Sequence, residues 1–420
     1  MIVPTIDTSI GMEVYSTNIE GISGSIKGAT DEFIVEELVD STSFDLTKNV
    51  DEEHTYPLYL LQKEGIDSAH AIKEVELATR LKLKVLGLKD AKAITKQYVS
   101  SVRKYRDAKT YVVTKHCSLE LLGYTRRPIT KRELIGNRFT ITVTGFTYEN
   151  MEQSRGELEE MIHKNCIANF FGYQRFGSSR AVTHLIGREI VKRNFKEAIE
   201  LFICYPGRYD SEEIREIREL CKDSSNFQNV LKTMPIRMDL ERILLQELVN
   251  NNDPVRALRK LPITIRRLLV QSYQSYLFNR SLSKVIKEGY DIALPRSGDV
   301  CFRFSNNSVV GIKKFDYTTS VIQLPAIPLV GYAFKDDNRF SSILKSIMEE
   351  ENISKNNFYI KEMQEVSVEG GFRHTSLLCN KFSHSLHESL KLNFILNKGC
   401  YATILLRELM KPIDPIAAGF

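Results

Sequence analysis

Residues 138–146 read RFTITVTGF, and this stretch alternates between two kinds of side chain. Phe139, Ile141 and Val143 fall on one face of an extended chain, and three threonines fall on the other. Successive side chains of a β-strand point to opposite faces, so the pattern predicts a strand with one buried face. Short runs rich in β-branched and aromatic residues predict further strands in the segments 31–38, 56–65 and 110–117.

The order of the remaining patterns predicts the fold class. Ser68 is a good N-cap for a helix whose apolar positions recur three residues apart. Residues 195–287 have mostly helical patterns, and the segments 358–372 and 390–406 return to strand-like patterns. Strands, then helices, then strands again predict an α+β protein with a mixed or antiparallel sheet, interrupted by a helix-rich insertion.

Composition and cysteine usage narrow the class of protein. The chain has 420 residues, of which 42% are hydrophobic, enough for two domains. Its seven cysteines include no C-x-x-C pair, which argues against a disulfide framework and a thiolate metal site. The first residues resemble no signal peptide, and no apolar run is long enough to cross a bilayer. We therefore expect a soluble, cytoplasmic protein.

The charges are distributed unevenly along the chain. Residues 80–132 contain fifteen lysines and arginines against three acids, whereas residues 31–53 contain nine acids against one lysine. A basic block of this size is a candidate surface for a polyanion such as RNA. Composition alone does not distinguish it from an ordinary solvated face.

Asp90 stands inside this basic block, in the stretch LGLKDAKAITKQ of residues 86–97. An apolar run leads into it, and the residues that follow favour a helix, so an ordinary N-cap is one interpretation. The other interpretation is catalytic. Cations and amides around a carboxylate keep it ionised, and an ionised carboxylate serves as a nucleophile or a base. On these residues alone, the cap is favoured.

A second stretch, NFFGYQRFGSSR at 169–180, combines aromatic rings with cations and amide donors. An unstacked RNA base needs a ring to stack on and polar groups to bond its edges. Aromatic packing in a core turn is the simpler alternative. Asn169, Gln174 and Arg175 are costly to bury without partners, and this favours a site.

Several other chemistries lack support. The chain contains no Walker loop, no G-x-G-x-x-G turn and no nucleophile elbow. His384 and His387 lack the spacing of a zinc protease motif. Asp90 and Asp107 alone do not supply the cluster of acids that a metal-dependent nuclease requires.

Taken together, the two stretches resemble motifs of the TruD family of pseudouridine synthases. The family motif Gly-x-Lys-Asp, with Ala, Thr and Gln at fixed steps after it, is matched at Gly87, Lys89, Asp90, Ala93, Thr95 and Gln97. NFFGYQRFG resembles the family's Asn-aromatic-Phe-Gly-x-Gln-Arg-Phe-Gly motif, and SIKGATDEFIVEE its start. LIGNRFTITV, SYQSYLFN and GCYATILLRELMK resemble further family segments, so the likeness covers nearly the whole chain. Its length resembles archaeal or eukaryotic-type members.

The resemblance implies a fold and an activity. It implies a discontinuous pseudouridine synthase catalytic domain with a central cleft, residues 1–194 and 371–420, and a TRUD insertion domain, residues 195–370. It also implies an isomerase that converts uridine into pseudouridine in tRNA, at position 13, with neither metal nor cofactor. Neither a membrane nor an obligate protein partner is implied, so we expect a monomer.

The resemblance assigns roles residue by residue. Asp90 matches the catalytic aspartate, and Lys27 matches the basic residue that would hold it. Substrate-binding roles fall on Phe171, which would stack on the target base, on Phe33 and Asn169, which would shape the pocket, and on Lys89, Gln97, Gln174 and Arg175. The alternative is a non-catalytic RNA-binding or RNA-chaperone protein on the same fold, and Asp90→Asn separates the two.

Overall fold

The computed structural model describes residues 2–87, 89–149, 151–177, 180–305 and 308–420. Within these ranges the strands are β1 (Ser23–Ser25), β2 (Phe33–Val39), β3 (Leu46–Thr47), β4 (Tyr56–Glu64), β5 (Leu83–Val85), β6 (Ile94–Ser101), β7 (Tyr111–Val113), β8 (Cys117–Thr125), β9 (Leu134–Phe146), β10 (Val300–Ser305), β11 (Ser308–Lys314), β12 (Ile322–Leu329), β13 (Gly371–His374), β14 (Cys379–Leu386) and β15 (Leu390–Asn397). The helices are α1 (Thr5–Ser9), α2 (Ser68–Thr79), α3 (Met151–His163), α4 (Thr183–Lys192), α5 (Phe195–Cys204), α6 (Glu212–Leu220), α7 (Phe227–Thr233), α8 (Asp239–Asn251), α9 (Pro254–Lys260), α10 (Ile263–Lys287), α11 (Ser341–Glu350) and α12 (Ala402–Met410).

The larger of the two sheets in the described residues is mixed. Its strand order is β14-β15-β9-β2-β6-β4-β8-β3, with β1 beside β9, β5 beside β6 and β7 beside β8. Strands β2 and β6 are parallel, and the other neighbours run antiparallel. Strands from both ends of the chain therefore share one sheet, as the strand, helix, strand order predicted.

Strand β9 lies inside this sheet, between β15 and β2. Its residues Phe139, Ile141 and Val143 are buried and join a core that includes residues of α4, α10 and α12. The predicted buried face of 138–146 is confirmed. On β2, Phe33 and Val35 pair with Ile141 and Phe139 and are buried on the same side.

The helical middle of the chain and a smaller sheet lie between the two halves of the large sheet in sequence. Helices α5 to α10 occupy residues 195–287, where helices were predicted. The smaller sheet has the order β11-β10-β12-β13, and its neighbouring strands are antiparallel. None of the described helices is both long and apolar enough to cross a membrane.

Four local predictions are wrong, and for the residues after Asp90 the reason is strand pairing over long range, which outweighs local preference. Residues 402–406, which were predicted to be strand-like, begin helix α12. Helix α2 is capped by Asp67, whose carboxylate accepts bonds from the amides of Ala69 and His70, and not by Ser68. The residues after Asp90 form strand β6, which pairs with β2, β4 and β5. Residues 355–358 and 361–366 form 3₁₀ turns in place of the predicted strand.

A buried ion pair links helix α1, near the start of the chain, to helix α12, near its end. Arg407 of α12 contacts Asp7 of α1, and both side chains are fully buried. The Tyr173 hydroxyl donates to the second oxygen of Asp7 at 2.7 Å. The same carboxylate thus anchors the 3₁₀ turn at Tyr173–Arg175, which belongs to the second sequence motif.

Asp7→Ala removes one of the two buried carboxylates that neutralise Arg407 and leaves Glu408 as the other. We expect the free energy of unfolding, measured by urea denaturation, to fall by about 3 kcal/mol. The exposed pair between Glu152 and Arg155 supplies the control. The free energy of unfolding of Glu152→Ala should be indistinguishable from that of the wild type. Equal stability of the two variants would contradict the role of the buried pair.

Candidate active site

Asp90 lies in the loop between β5 and β6, where two side chains hold its carboxylate. Lys27 Nζ donates to Asp90 Oδ2 at 2.8 Å, and Gln174 Nε2 donates to the same oxygen at 2.9 Å. The amide of Lys92 approaches Asp90 Oδ1 at 3.4 Å. The Asp90 side chain keeps 29% of its surface exposed, so the carboxylate remains accessible to another molecule.

The environment of Asp90 favours the charged carboxylate. Burial by itself would raise the pKa of Asp90. The charge and hydrogen bond of Lys27, with the amides of Lys92 and Ala91, outweigh burial and hold that pKa below its ordinary value of 3.8. The group is therefore ionised at neutral pH, as a nucleophile or a base must be.

Lys27 is presented to Asp90 by an unusual backbone conformation. It follows β1 with a φ of 61°, in the left-handed region that few residues other than glycine adopt. Its ammonium lies 4.7 Å from the centre of the Phe33 ring, a cation–π contact. Only 6% of the Lys27 side chain is exposed, so its charge is directed at Asp90 and not into solvent.

Lys63 of β4 supports the loop from the buried side. Its ammonium donates to the carbonyl oxygens of Asp90 at 2.6 Å and Ile66 at 2.8 Å. Burial lowers the pKa of Lys63 to about 8, although the charges of Asp90 and Asp67 oppose that shift. Sequence analysis did not identify this lysine, because it lies in a strand outside the basic block.

Ser68 and Gln97 fix the same loop through its backbone. The Lys89 amide donates to Ser68 Oγ at 2.8 Å, and Gln97 Nε2 donates to the Gly87 carbonyl at 3.4 Å. The Ser68 hydroxyl also lies 3.3 Å from Gln97 Oε1. Gln97 is fully buried, and it contacts both the loop backbone and the Ser68 hydroxyl.

A cavity of about 190 Å³ opens beside the Asp90 carboxylate. Five of the predicted site residues line it: Lys27, Phe33, Lys89, Asp90 and Gln174. Residues that the sequence did not identify complete the lining: Val35, Asn137, Phe139, Cys400, Tyr401, Ala402 and Thr403. The missed residues lie on β2, on β9 and in the segment 400–403 around the start of α12, where the sequence patterns predicted secondary structure but no pocket.

Phe171 and Asn169 lie behind this cavity. Neither Phe171 nor Asn169 is among the described residues that line the cavity. The Phe171 ring packs 4.0 Å from the Arg373 guanidinium, and Tyr401, which lines the cavity, is its neighbour with ring centres 6.4 Å apart. Asn169 is fully buried, and its Oδ1 accepts a bond from Arg373 at 2.8 Å. Their substrate-binding roles stay predictions.

Arg175 and Gln174 leave the same 3₁₀ turn in different directions. The Arg175 guanidinium lies 5.4 Å from the centre of the Phe171 ring, whereas Gln174 reaches Asp90. The turn thus links the two sequence motifs physically. Tyr173, which is buried and bonded to Asp7, anchors the turn in the core.

Known proteins resemble this chain along its whole length. The family model for tRNA pseudouridine synthase D (TruD) matches residues 9–409. A protein of Archaeoglobus fulgidus named "Probable tRNA pseudouridine synthase D" is 32% identical over 96% of this chain and 99% of its own length. A Methanosarcina acetivorans protein of the same name is 31% identical over 99% of each chain.

The fold is also found in a crystal structure of TruD from Methanosarcina mazei. That chain superposes with a TM-score of 0.78 and 29% identity, covering 99% of this chain and 100% of its own. The predicted α+β pseudouridine synthase fold and the predicted family are confirmed. The chain that holds Asp90 beside Lys27 and Gln174 belongs to the TruD family of tRNA pseudouridine synthases.

Proposed function

We infer that the protein is an isomerase that converts uridine into pseudouridine in tRNA, and we propose position 13 as the target. The observation that carries the proposal is the ionised Asp90 carboxylate, bonded to Lys27 and Gln174 at the edge of a cavity. Membership of the TruD family supports the substrate class and the reaction.

In the reaction, the bond between N1 of uracil and C1′ of ribose breaks, and a bond between C5 and C1′ forms. C5 loses a proton and N1 gains one, so atoms balance without an oxidant or reductant. Asp90 either attacks the sugar as a nucleophile or abstracts its 2′ proton, and both roles require the ionised form. Lys27 maintains that form, and Gln174 fixes the orientation of the carboxylate.

The target nucleoside must leave its stack to reach Asp90, since the carboxylate lies within a cavity. We propose that Phe33 and Tyr401 bound the space for the base. Phe171, the neighbour of Tyr401, stacks on the base, and Asn169 shapes the pocket from behind. The exposed cations of the basic block, among them Arg103, Lys104 and Arg106, are placed to contact RNA phosphates.

We propose the domain division 1–194 with 371–420 for catalysis and 195–370 as the insertion. Strand β13 supports a close association of the two, because it begins at residue 371 and yet pairs with β12. We also propose that the protein acts in the cytoplasm as a monomer, without a metal or cofactor.

The test is to incubate the purified protein with a tRNA transcript and map pseudouridine at single-nucleotide resolution. We expect conversion at position 13, and no conversion there in a transcript that carries cytidine at that position. Binding of tRNA without conversion at any uridine would overturn the isomerase and favour the RNA-chaperone alternative. Conversion only at uridines other than position 13 would overturn the assignment of the target position.

Phe171 provides a test of the stacking role. We expect Phe171→Ala to slow turnover by about 30-fold, in keeping with the 1–3 kcal/mol of a stacked base, and Phe171→Leu by less than about tenfold. Leucine retains most of the apolar surface that meets the base and Arg373. Rates are compared under single-turnover conditions, and thermal unfolding of both variants is measured alongside. Equal rates would contradict stacking.

A further inference from the structure

A second ion pair lies beside the one that holds Asp90. Lys89 Nζ contacts Glu37 Oε1 at 2.6 Å, and the second oxygen of Glu37 accepts the amide of Tyr98 at 2.9 Å. The Glu37 side chain is fully buried, and Lys89 is 9% exposed at the wall of the cavity. Lys89 is also the sequence neighbour of Asp90, so the Asp90 carboxylate is a second possible partner for its ammonium.

The space for this second pair is provided by Gly87. A Cβ atom on Gly87 would lie 3.2 Å from Lys89 Nζ and 3.5 Å from Glu37 Oε1. The first distance is tighter than ordinary van der Waals contact, so a side chain there would press on the ammonium. The Lys89 ammonium and the Glu37 carboxylate therefore meet beside Gly87, where the loop has no side chain.

Stability alone gives a weak reason for this arrangement. A buried ion pair is often no more stabilising than a well-packed apolar pair of similar volume. Glu37 also interrupts the apolar face of β2, on which Phe33 and Val35 are buried in the core. A carboxylate at this place is explained better by what it does to Lys89.

We propose that Glu37 is a positioning residue for the isomerisation, which neutralises Lys89 at the cavity wall and leaves Lys27 as the ammonium partner of Asp90. An unpaired Lys89 would turn toward the neighbouring Asp90. A second ammonium on that carboxylate would reduce its basicity and its freedom to react. The proposal rests on the proposed role of Asp90.

The two partners should respond differently to removal. In Glu37→Gln the Lys89 charge remains and is free, so we expect the single-turnover rate to fall about 100-fold. In Lys89→Met the buried Glu37 can take up a proton, because burial already raises its pKa, and the pair becomes neutral. We expect that variant to lose less than about tenfold.

The double variant E37Q/K89M should recover to within about tenfold of wild type, a rescue that a purely structural role of Glu37 would not produce. Glu36 supplies the matched control. It pairs with Lys96 and Arg138, away from the cavity, and Glu36→Gln should keep the wild-type rate within about twofold. Binding of tRNA should be unchanged in Glu37→Gln and in Glu36→Gln.

Lys89→Met as slow as Glu37→Gln, or a double variant no faster than Glu37→Gln, would overturn the proposal. If Glu37→Gln fails to fold, Lys89→Met decides alone, and a loss of about 100-fold would overturn it. Inactive wild-type protein would instead mean that the proposed function is wrong. If the wild-type protein is active but the rates of the variants follow a different order, only the proposed role of Glu37 is wrong.

Discussion

Asp90→Asn is expected to abolish pseudouridine formation, lowering the single-turnover rate by at least about 10⁴-fold. Asparagine keeps the size of the side chain and the contact with Gln174, but it cannot act as a nucleophile or accept a proton at neutral pH. Binding of tRNA should stay near wild type, because the phosphate contacts proposed for the basic block do not involve this carboxylate.

Asp107→Asn is the matched control for this substitution. Asp107 is an exposed acid in the same basic block, so its replacement makes the same change in net charge. We expect its rate to remain near that of the wild type. Both rates are measured with saturating protein over tRNA, and affinity is measured by filter binding at one fixed salt concentration. Conversion of uridine by Asp90→Asn would contradict the assignment of the catalytic residue.

Lys27→Met is expected to lower the rate by about 10³-fold at neutral pH and to change its pH dependence. Methionine preserves the length and apolar stem of the side chain but removes the charge. Burial would then act on Asp90 with less opposition and raise its pKa, whereas in the native protein Lys27 holds that pKa below 3.8. The acid limb of the rate profile should therefore move to higher pH.

The same change removes a contribution to stability. The depressed pKa of Asp90 stabilises the native protein above the pKa of the unfolded chain, and this contribution is lost as pH falls through the native pKa. Unfolding of wild type and Lys27→Met should accordingly differ at neutral pH and converge in acid. Rate profiles and urea unfolding at several pH values measure both effects.

Lys27→Arg and Lys96→Met are the controls. Arginine retains the positive charge and should restore part of the rate and the wild-type acid limb. Lys96→Met removes an ammonium that pairs with Glu36 on a more exposed face, and it should leave the limb in place. An unchanged limb in Lys27→Met would show that another group sets the charge of Asp90.

Strands β2, β4, β9 and β15 of the large sheet were predictable because the residue pattern of a strand is a local property. The pattern at 138–146 identified the buried face of β9 without any knowledge of its neighbours. Strand β6 was not predictable in this way. Residues 94–101 are compatible with a helix, and they are extended because β2, β4 and β5 supply their hydrogen-bond partners.

The residues of the site also fall into those that sequence motifs identify and those that only the fold brings in. The motifs identified Asp90, Lys27 and Gln174, which the fold brings within hydrogen-bond distance. Lys63 lies outside the motifs, and Ser68 was predicted only as a helix cap. Both support the loop through backbone carbonyl or amide groups, and any strand or helix can supply such a contact. Tyr401 reaches the cavity from the start of α12, near the other end of the chain.

The sequence by itself determined the α+β class and the family, and it identified Asp90 as the carboxylate that we propose to be catalytic. The family resemblance also named Lys27 as the partner of Asp90, whereas only the tertiary structure paired Lys89 with Glu37. Asp90 is surrounded in sequence by lysines, yet its partner Lys27 lies 63 residues away, and its neighbour Lys89 is paired with Glu37, 52 residues away. Ion pairing depends on distances of a few ångströms, and those distances are set by the path of the backbone between β1, β2 and the loop before β6.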